Sequence, residues 1–335
     1  MNIIIPMAGM GKRMRPHTLT TAKPLIPIAG KPIVQRLVED IVRTANEPVE
    51  EIAFIIAPHF GKATEDLLLK VAEDLGASGK ICYQEEALGT AHAILCAGDS
   101  LNGNVFVAFA DTLFKANFTI DTKKDAIIWT QKVDDPSQFG VVKLDESGRI
   151  TEFVEKPTDF VSDLAIIGVY YFRDGANLRK EMQYLIDNDI REKGEYQLTN
   201  AMENMKNKGM AFYSDQVEEW LDCGNKDATV YTNQRILEIK KDQEKLVAET
   251  AQLQQTTIIP PCFIGENVVI SNSVIGPHVS VEANCRIENS NVRNSIIQAH
   301  TTVKDALLNN SLLGKNVTYN DIPRELSLGD FSTIQ

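Results

Sequence analysis

The sequence predicts an α/β fold in two parts: an N-terminal domain on a mixed, mostly parallel sheet, then a short triangular parallel β-helix. Three observations carry this. Short apolar strands alternate with amphipathic helices from Asn2 to Ala110. Four strand-like runs then follow one another between Ala126 and Phe172. From Ile258 onward, single aliphatic residues recur every five or six positions. A chain of 335 residues is also too long for one ordinary core.

Asn2 to Ile5 reads as a buried first strand. A glycine-bearing loop, Pro6 to Ile28, leaves it, and Pro32 opens a helix whose apolar residues Ile33, Val34, Leu37, Val38, Ile41, Val42 and Ala45 share one face of a 3.6-residue period. Glu51 to Ile56 is the second strand, Lys62 to Leu75 a helix stopped by Gly76, Ile81 to Gln84 the third strand, and Thr90 to Ala97 a helix entered through Gly89. Asn104 to Ala110 is the continuous apolar run of a central strand, and Asp111 stands at its carboxyl end, the edge where open α/β sheets bind ligands. Ala126 to Gln131, Gly140 to Leu144, Ile150 to Glu155 and Ala165 to Phe172 are expected to be antiparallel and to wall a pocket, with Asp145 to Gly148 as a hairpin turn. Helical patterns return at Asn177 to Asn188 and Thr199 to Lys208, a strand at Met210 to Ser214, and Trp220 and Leu221 lead into Asp222. The polar stretch from Asp227 to about Leu253 reads as a helical connector.

In the second part the recurring aliphatics are Ile264, Ile270, Ile275, Val281, Ile287, Val292, Ile297, Val303, Leu308 and Leu313. Glycine or a small acidic residue follows several of them, as at Gly265, Gly276, Glu282 and Gly314, which suits tight corners between flat sides that each point one aliphatic inward. About three coils are expected before Tyr319. The expected divisions are a domain over 1–235, a connector over 236–257, the β-helix over 258–320 and a tail over 321–335.

Composition excludes several classes. A hydrophobic share of 43% and a charged share of 24% are those of a globular protein, and no run approaches the ~18 apolar residues of a membrane span. MNIIIPMAG has no basic stretch ahead of its apolar residues, so it reads as a strand and not as a signal peptide, and a cytoplasmic location is expected. Five cysteines, with no CxxC pair, are expected to be reduced structural thiols. A formal charge of −12 argues against a nucleic-acid surface, so any anionic ligand needs a local basic pocket.

The Pro6 to Ile28 loop is where such a pocket is expected. Gly9 and Gly11 allow positive φ and close approach of backbone N–H groups to phosphate oxygens, and Arg13 and Lys23 add charge. Two common phosphate loops fail here. A dinucleotide fingerprint needs glycine at Met14, and a P-loop needs glycine at Pro6 with serine or threonine at Arg13.

Ala8, Gly9, Gly11, Arg13, Lys23 and Pro24 do resemble the signature of the sugar-1-phosphate nucleotidylyltransferases, in which G-x-G-x-R is followed by K-P. The resemblance continues in order through Gln84 to Ala93 (QEEALGTAHA), Asp111, Phe139-Gly140-Val141, Glu155-Lys156-Pro157, Gly168 and Asp222-Cys223-Gly224. Pro6, Met7, Lys12 and Arg15 depart from the usual loop. The aliphatic repeat likewise resembles the hexapeptide-repeat left-handed β-helix. The implied architecture is a Rossmann-like mixed-sheet nucleotidyltransferase domain followed by a short left-handed parallel β-helix.

The resemblance implies the reaction NTP plus sugar 1-phosphate to NDP-sugar plus pyrophosphate. It implies Mg2+ on Asp111 and Asp222, hard oxygen ligands suited to that ion. It implies nucleotide contacts at Ala8, Gly9, Gly11, Arg13, Gln84, Gly89 and Thr90, with the Gln84 amide facing a pyrimidine edge. Sugar phosphate contacts fall at Gly140, Glu155, Lys156, Gly168 and Lys193, and Arg13, Lys23, Asp111 and Lys156 are the catalytic set. Glucose-1-phosphate thymidylyltransferases with dTTP are the first comparison; UTP with glucose or N-acetylglucosamine 1-phosphate is an alternative, then GTP with mannose 1-phosphate. A regulatory or assembly subunit of the same architecture would have lost these charged positions. His278 and His300 lie where acyltransferases of the β-helix class carry a catalytic base, but the coils are few and an acyl-carrier loop is not evident. An open β-helix end leaves unpaired strand backbone, so a homo-oligomer is expected.

Overall fold

The computed structural model describes residues 1–115 and 119–321, so the tail expected over 321–335 lies outside the described residues beyond Asp321. Contacts divide the chain into two compact units: Met1–Ile26 with Lys31–Asn225, and Pro27–Gly30 with the residues from Lys226 onward.

The first unit is built on a nine-stranded sheet. Its strands are β1 (Asn2–Pro6), β2 (Glu51–Ile56), β3 (Ser78–Tyr83), β4 (Val105–Ala108), β6 (Ala126–Lys132), β7 (Gly140–Leu144), β8 (Ile150–Glu155), β9 (Leu164–Phe172) and β10 (Phe212–Gln216); β5 (Thr112–Lys115) and β11 (Glu219–Asp222) form a separate pair. The spatial order is β8-β7-β9-β4-β1-β2-β3, with β6 on β9 and β10 on β6. Strands β4, β1, β2 and β3 are mutually parallel, and β9 runs antiparallel to β4. This is the mixed sheet expected, with the β7–β8 hairpin in place. The strand near Met210 is Phe212–Gln216 and adds parallel to β6, not antiparallel like its neighbours. Helices α1 (Ile33–Thr44), α2 (Lys62–Asp74), α3 (Thr90–Leu95), α4 (Gly175–Asp187) and α5 (Leu198–Asn207) cover the sheet. The apolar face read for the first helix is buried at Ile33, Val34, Leu37, Val38 and Ile41.

Topology fixes the site's edge. Strand β4 is fully buried between β1 and β9, so its apolar run faces protein on both sides, and the chain turns at its end to Asp111. The β5–β11 pair, not anticipated from the sequence, sets Asp222 opposite Thr112, and the Cys223 N–H donates to the Asp111 carbonyl at 3.0 Å. Two carboxylates 111 positions apart in the chain thereby become neighbours. Opposite them, β9 loses register between Ile166 and Tyr170, around Gly168 at φ 81°.

The second unit carries three parallel sheets of five, four and four strands, each strand paired with the one a coil later, the arrangement of a left-handed β-helix. The coil length is 17 residues at first (Val269 to Arg286) and 16 thereafter (Arg286 to Thr302). The inward aliphatics are those read from the sequence: Ile264, Ile270, Ile275, Val281, Ile287, Val292, Ile297 and Val303 are fully buried, with Leu308 and Leu313 packed against them. Three details differ from expectation. The helix after Lys226 stops at Lys240 (α6, Lys226–Lys240), and strands begin at Gln252, giving four coils instead of three. The corners are turned chiefly by asparagines in the left-handed region, including Asn267, Asn272, Asn284, Asn289 and Asn294, with Gly276 as the positive-φ glycine among them. His278 and His300 are two more such corner residues, at φ 61° and 60°.

None of the five cysteines is in a disulfide, and burial pushes the Cys262 and Cys285 thiols up to about 11. Among the described residues, no helix is long and apolar enough to cross a membrane.

Candidate active site

Two cavities open at the carboxyl edge of the first unit's sheet, of about 410 and 440 Å³, and share Arg13, Thr90, Phe109 and Asp111. Ala8, Gly9, Gly11, Lys23, Gln84 and Gly89 line the first; Gly140, Glu155, Lys156, Gly168 and Asp222 line the second. Of the residues assigned from the sequence to nucleotide, sugar phosphate, metal or catalysis, Lys193 alone lines neither. Its ammonium donates to the Lys156 carbonyl at 2.6 Å.

The loop after β1 is shaped by Gly11, at φ 56°, where an added Cβ would lie 3.0 Å from the Lys23 Cβ. Gly9 is different from expectation. It takes no positive φ, and an added Cβ would meet nothing within 4 Å, so its backbone faces open cavity and its value is close approach alone. Arg13 is exposed at the rim, whereas Lys23 is buried with its Nζ 2.9 Å from Asp111 Oδ2.

Gln84 follows β3 and is buried, with its Nε2 3.1 Å from His92 Nδ1. Burial pushes the His92 imidazole below its usual value, so the ring is neutral near pH 7 and Nδ1 accepts from the amide. That leaves the Gln84 oxygen and second N–H for a ligand. Gly89, at φ 119°, has no room for a side chain, since a Cβ would lie 2.5 Å from the Tyr196 carbonyl oxygen. Thr90 is occupied structurally: its hydroxyl donates to Gln197 Oε1 at 3.1 Å and accepts from the Leu198 N–H at 2.9 Å, tying the start of α3 to that of α5.

In the second cavity, Glu155 accepts from the Thr199 hydroxyl at 3.2 Å and lies 3.6 Å from the Lys156 ammonium. Burial pushes its carboxyl up, against the opposing pull of Lys156 and the Thr199 bond. At Gly140 an added Cβ would be 3.1 Å from Glu155 Oε2, so glycine keeps that carboxylate in place. Asp222 is likewise raised, first by burial and further by Asp111, while the Gly224 N–H, Lys23 and Arg13 pull it down.

Asp111 and Asp222 fit a hard cation. They are neighbours, Asp222 is half-buried and its carboxyl is raised in part by the charge of Asp111, and a divalent ion would relieve both. No set of three or more His, Cys, Asp or Glu ligands exists among the described residues, so the remaining ligands would be water and substrate oxygens, the pattern Mg2+ prefers.

Sequence reasoning missed His92 as the partner of Gln84, Thr199 as the partner of Glu155, and Trp220, which lines the second cavity edge-to-face with Phe139 at 5.3 Å. A signal existed for Trp220, since residues two apart on a strand share a face with Asp222. None existed for Thr199, which a separate helix delivers.

Residues 2–239 match the nucleotidyl transferase family. The chain is 31% identical over 343 residues to a glucose-1-phosphate thymidylyltransferase of Streptomyces antibioticus, covering 95% of this chain and 93% of that protein. It is 29% identical over 355 residues to the bifunctional protein GlmU of Methanocaldococcus jannaschii, covering 98% of this chain and 82% of that one. Among solved structures, a UDP-glucose pyrophosphorylase complexed with UDP-glucose superposes with a TM-score of 0.58 at 22% identity, over 71% of this chain and 98% of that chain, which shows a shared fold. With the family matched across the whole sheet domain and two cavities meeting at Asp111, the chain belongs to the nucleotidyl transferase family of enzymes.

Proposed function

We propose that the protein is a sugar-1-phosphate nucleotidylyltransferase that joins dTTP and glucose 1-phosphate, giving dTDP-glucose and pyrophosphate. The observation that carries this is the pair of cavities sharing Arg13 and Asp111, one edged by the glycine loop and Gln84, the other by Glu155 and Lys156. Two substrates bound side by side would meet at the shared wall. A phosphate oxygen of the sugar phosphate attacks the α-phosphorus in line, the bond to pyrophosphate breaks, and pyrophosphate leaves with the electron pair. No protein nucleophile is needed, so the chain's work is positioning and charge stabilisation. Loop N–H groups and Arg13 hold the leaving pyrophosphate, Lys23 and Lys156 offset charge between the approaching phosphates, and Glu155 accepts from sugar hydroxyls. Asp111 and Asp222 would hold Mg2+, which when bound neutralises and polarises phosphate oxygens.

The Gln84 amide offers one donor and one acceptor, which suits thymine and uracil alike. The similarity to a protein named for thymidylyl transfer along nearly its whole length favours dTTP. UTP is the second reading, supported by the same amide edge and by the GlmU relative. Pyrophosphate release measured over four NTPs with glucose, N-acetylglucosamine and mannose 1-phosphates tests this; dTTP with glucose 1-phosphate is expected to be fastest. A preference for GTP would discard the role given to Gln84. Assembly into a homo-oligomer through the β-helix and a cytoplasmic location complete the reading, and light scattering at micromolar concentration tests the first.

A further inference from the structure

We propose that Asn233 is a positioning residue for Lys23: its side chain holds the Ala29–Gly30 turn that follows the glycine loop, and the short chain between them sets where the buried lysine stands. The inference deepens the proposed function and rests on it.

The chain leaves Lys23 through a single helical turn, Lys23–Leu25, in which the Ile26 N–H donates to the Lys23 carbonyl at 3.1 Å. Pro27–Ile28 and Lys31–Pro32 then pair as two short strands, and the Ile33 N–H closes their base by donating to the Ile26 carbonyl at 3.1 Å. Ala29 and Gly30 join the strands at φ of 47° and 87°. Two successive positive φ values describe a type I′ turn, whose first central position favours asparagine, aspartate or glycine. Alanine resists that conformation and has no side-chain group to offset it, so the turn must be held from outside.

Asn233 supplies the hold. Pro27–Gly30 belong to the second unit, and there the Ala29 N–H donates to Asn233 Oδ1 at 2.9 Å. The same oxygen accepts from the Ser280 hydroxyl at 2.7 Å. Asn233, on α6, and Ser280, on the β-helix, are both fully buried. Asn233 Nδ2 is buried with no hydrogen-bond partner among the described residues, a cost that the two bonds to the oxygen offset. Beside it, Gly30 lies against Phe263, where an added Cβ would fall 2.3 Å from a ring carbon.

A shift of this turn has little slack in which to die away before Lys23. Of the five residues between Lys23 and Ala29, Pro24 and Pro27 have φ fixed by their rings, and Ile26 is tied at both its N–H and its carbonyl. Lys23 itself needs a defined place, since it is buried and meets Asp111 at 2.9 Å.

The test is Asn233→Ala in the full chain, assayed well below its melting temperature. It is expected to lower kcat about tenfold and to leave both KM values within about twofold. Ala29→Gly combined with Asn233→Ala should recover most of that loss, since glycine takes positive φ without help. Placed on Lys23→Ala, Asn233→Ala should have no further effect on kcat, because the residue it acts through is gone. If Asn233→Ala costs the same factor with and without Lys23, it only lowers the folded fraction and the proposal is overturned; wild-type kcat in the single variant overturns it equally. Should Asn233→Ala fail to fold, Ala29→Gly is compared with the double variant: kcat values within about threefold are expected, and a larger gap overturns the proposal. If wild type forms no NDP-sugar from any NTP, it is the functional reading that falls, taking this inference with it.

Discussion

Lys23 and Asp111 form an ion pair, Nζ to Oδ2 at 2.9 Å, in which the lysine is buried and the carboxylate side chain is 44% exposed. The ammonium proposed for the reacting phosphates and the carboxylate proposed for the metal thus neutralise each other. A divalent cation held by Asp111 would compete with Lys23 for that carboxylate. Lys23→Ala should lower kcat by roughly 100- to 1,000-fold, the usual cost of one preorganised charge donor. Pyrophosphate release alongside a thermal melt checks this; near-normal turnover in a folded variant would remove Lys23 from the mechanism.

Glu155 connects the site to pH. Burial raises its folded carboxyl above the unfolded value, so the folded state binds this proton more tightly, and stability from this group is full below the unfolded pKa and is lost as pH rises through the folded one. Glu155→Gln should therefore melt higher than wild type at pH 7 without ligand, and the gap should close as pH falls through the raised folded value and be gone below about 4.5, the ordinary value of the carboxyl. The same change removes a charged acceptor from the cavity proposed to hold the sugar phosphate, so kcat/KM for sugar 1-phosphate should drop about 10- to 100-fold. Melting curves from pH 4 to 8 decide the first part; a gap that widens on acidification would contradict it.

Gln84 is oriented by His92, at 3.1 Å, and not by its own strand. Because burial lowers the His92 pKa, the ring stays neutral at pH 7 and keeps its acceptor toward the amide. His92→Ala should leave the fold intact but loosen the amide, weakening pyrimidine over purine preference by about fivefold, in line with loss of one neutral hydrogen bond of about 1 kcal/mol. Gln84→Ala should remove more of that preference. Competition between dTTP and GTP over pH 6.5 to 8 should show flat selectivity in wild type; a steep change in that range would mean the imidazole titrates there.

What the sequence made legible follows from which forces act locally. The inward aliphatics of the β-helix were readable because one residue per side must face the axis, and every position read from Ile264 to Val303 is fully buried. The cavity residues from Ala8 to Asp222 were readable because their chemistry and order resemble a family's. The corners were not, since asparagine and glycine both accept left-handed backbone and the glycines drew the attention. The β5–β11 pair was hidden because its two short strands meet only through a contact between distant segments. The 2.6 Å bond from Lys193 to the Lys156 carbonyl was hidden too, since it depends on a φ that no periodicity reveals.

The asparagine corners give the last prediction. Asn289 sits at φ 50°, accepts from the Asn272 amide at 3.3 Å and donates to Asp305 at 2.9 Å, so each corner both bends the chain and links coils. The two contributions separate by substitution. Asn289→Ala keeps the left-handed backbone with a residue that resists it and loses both bonds, which should cost about 1–2 kcal/mol. Asn289→Gly loses the same exposed bonds but relieves the backbone, so its cost should be under about 1 kcal/mol. Calorimetric melts of the full chain compare them. If glycine costs as much as alanine, the ladder of side-chain bonds, and not the left-handed turn, is what selects asparagine at these corners.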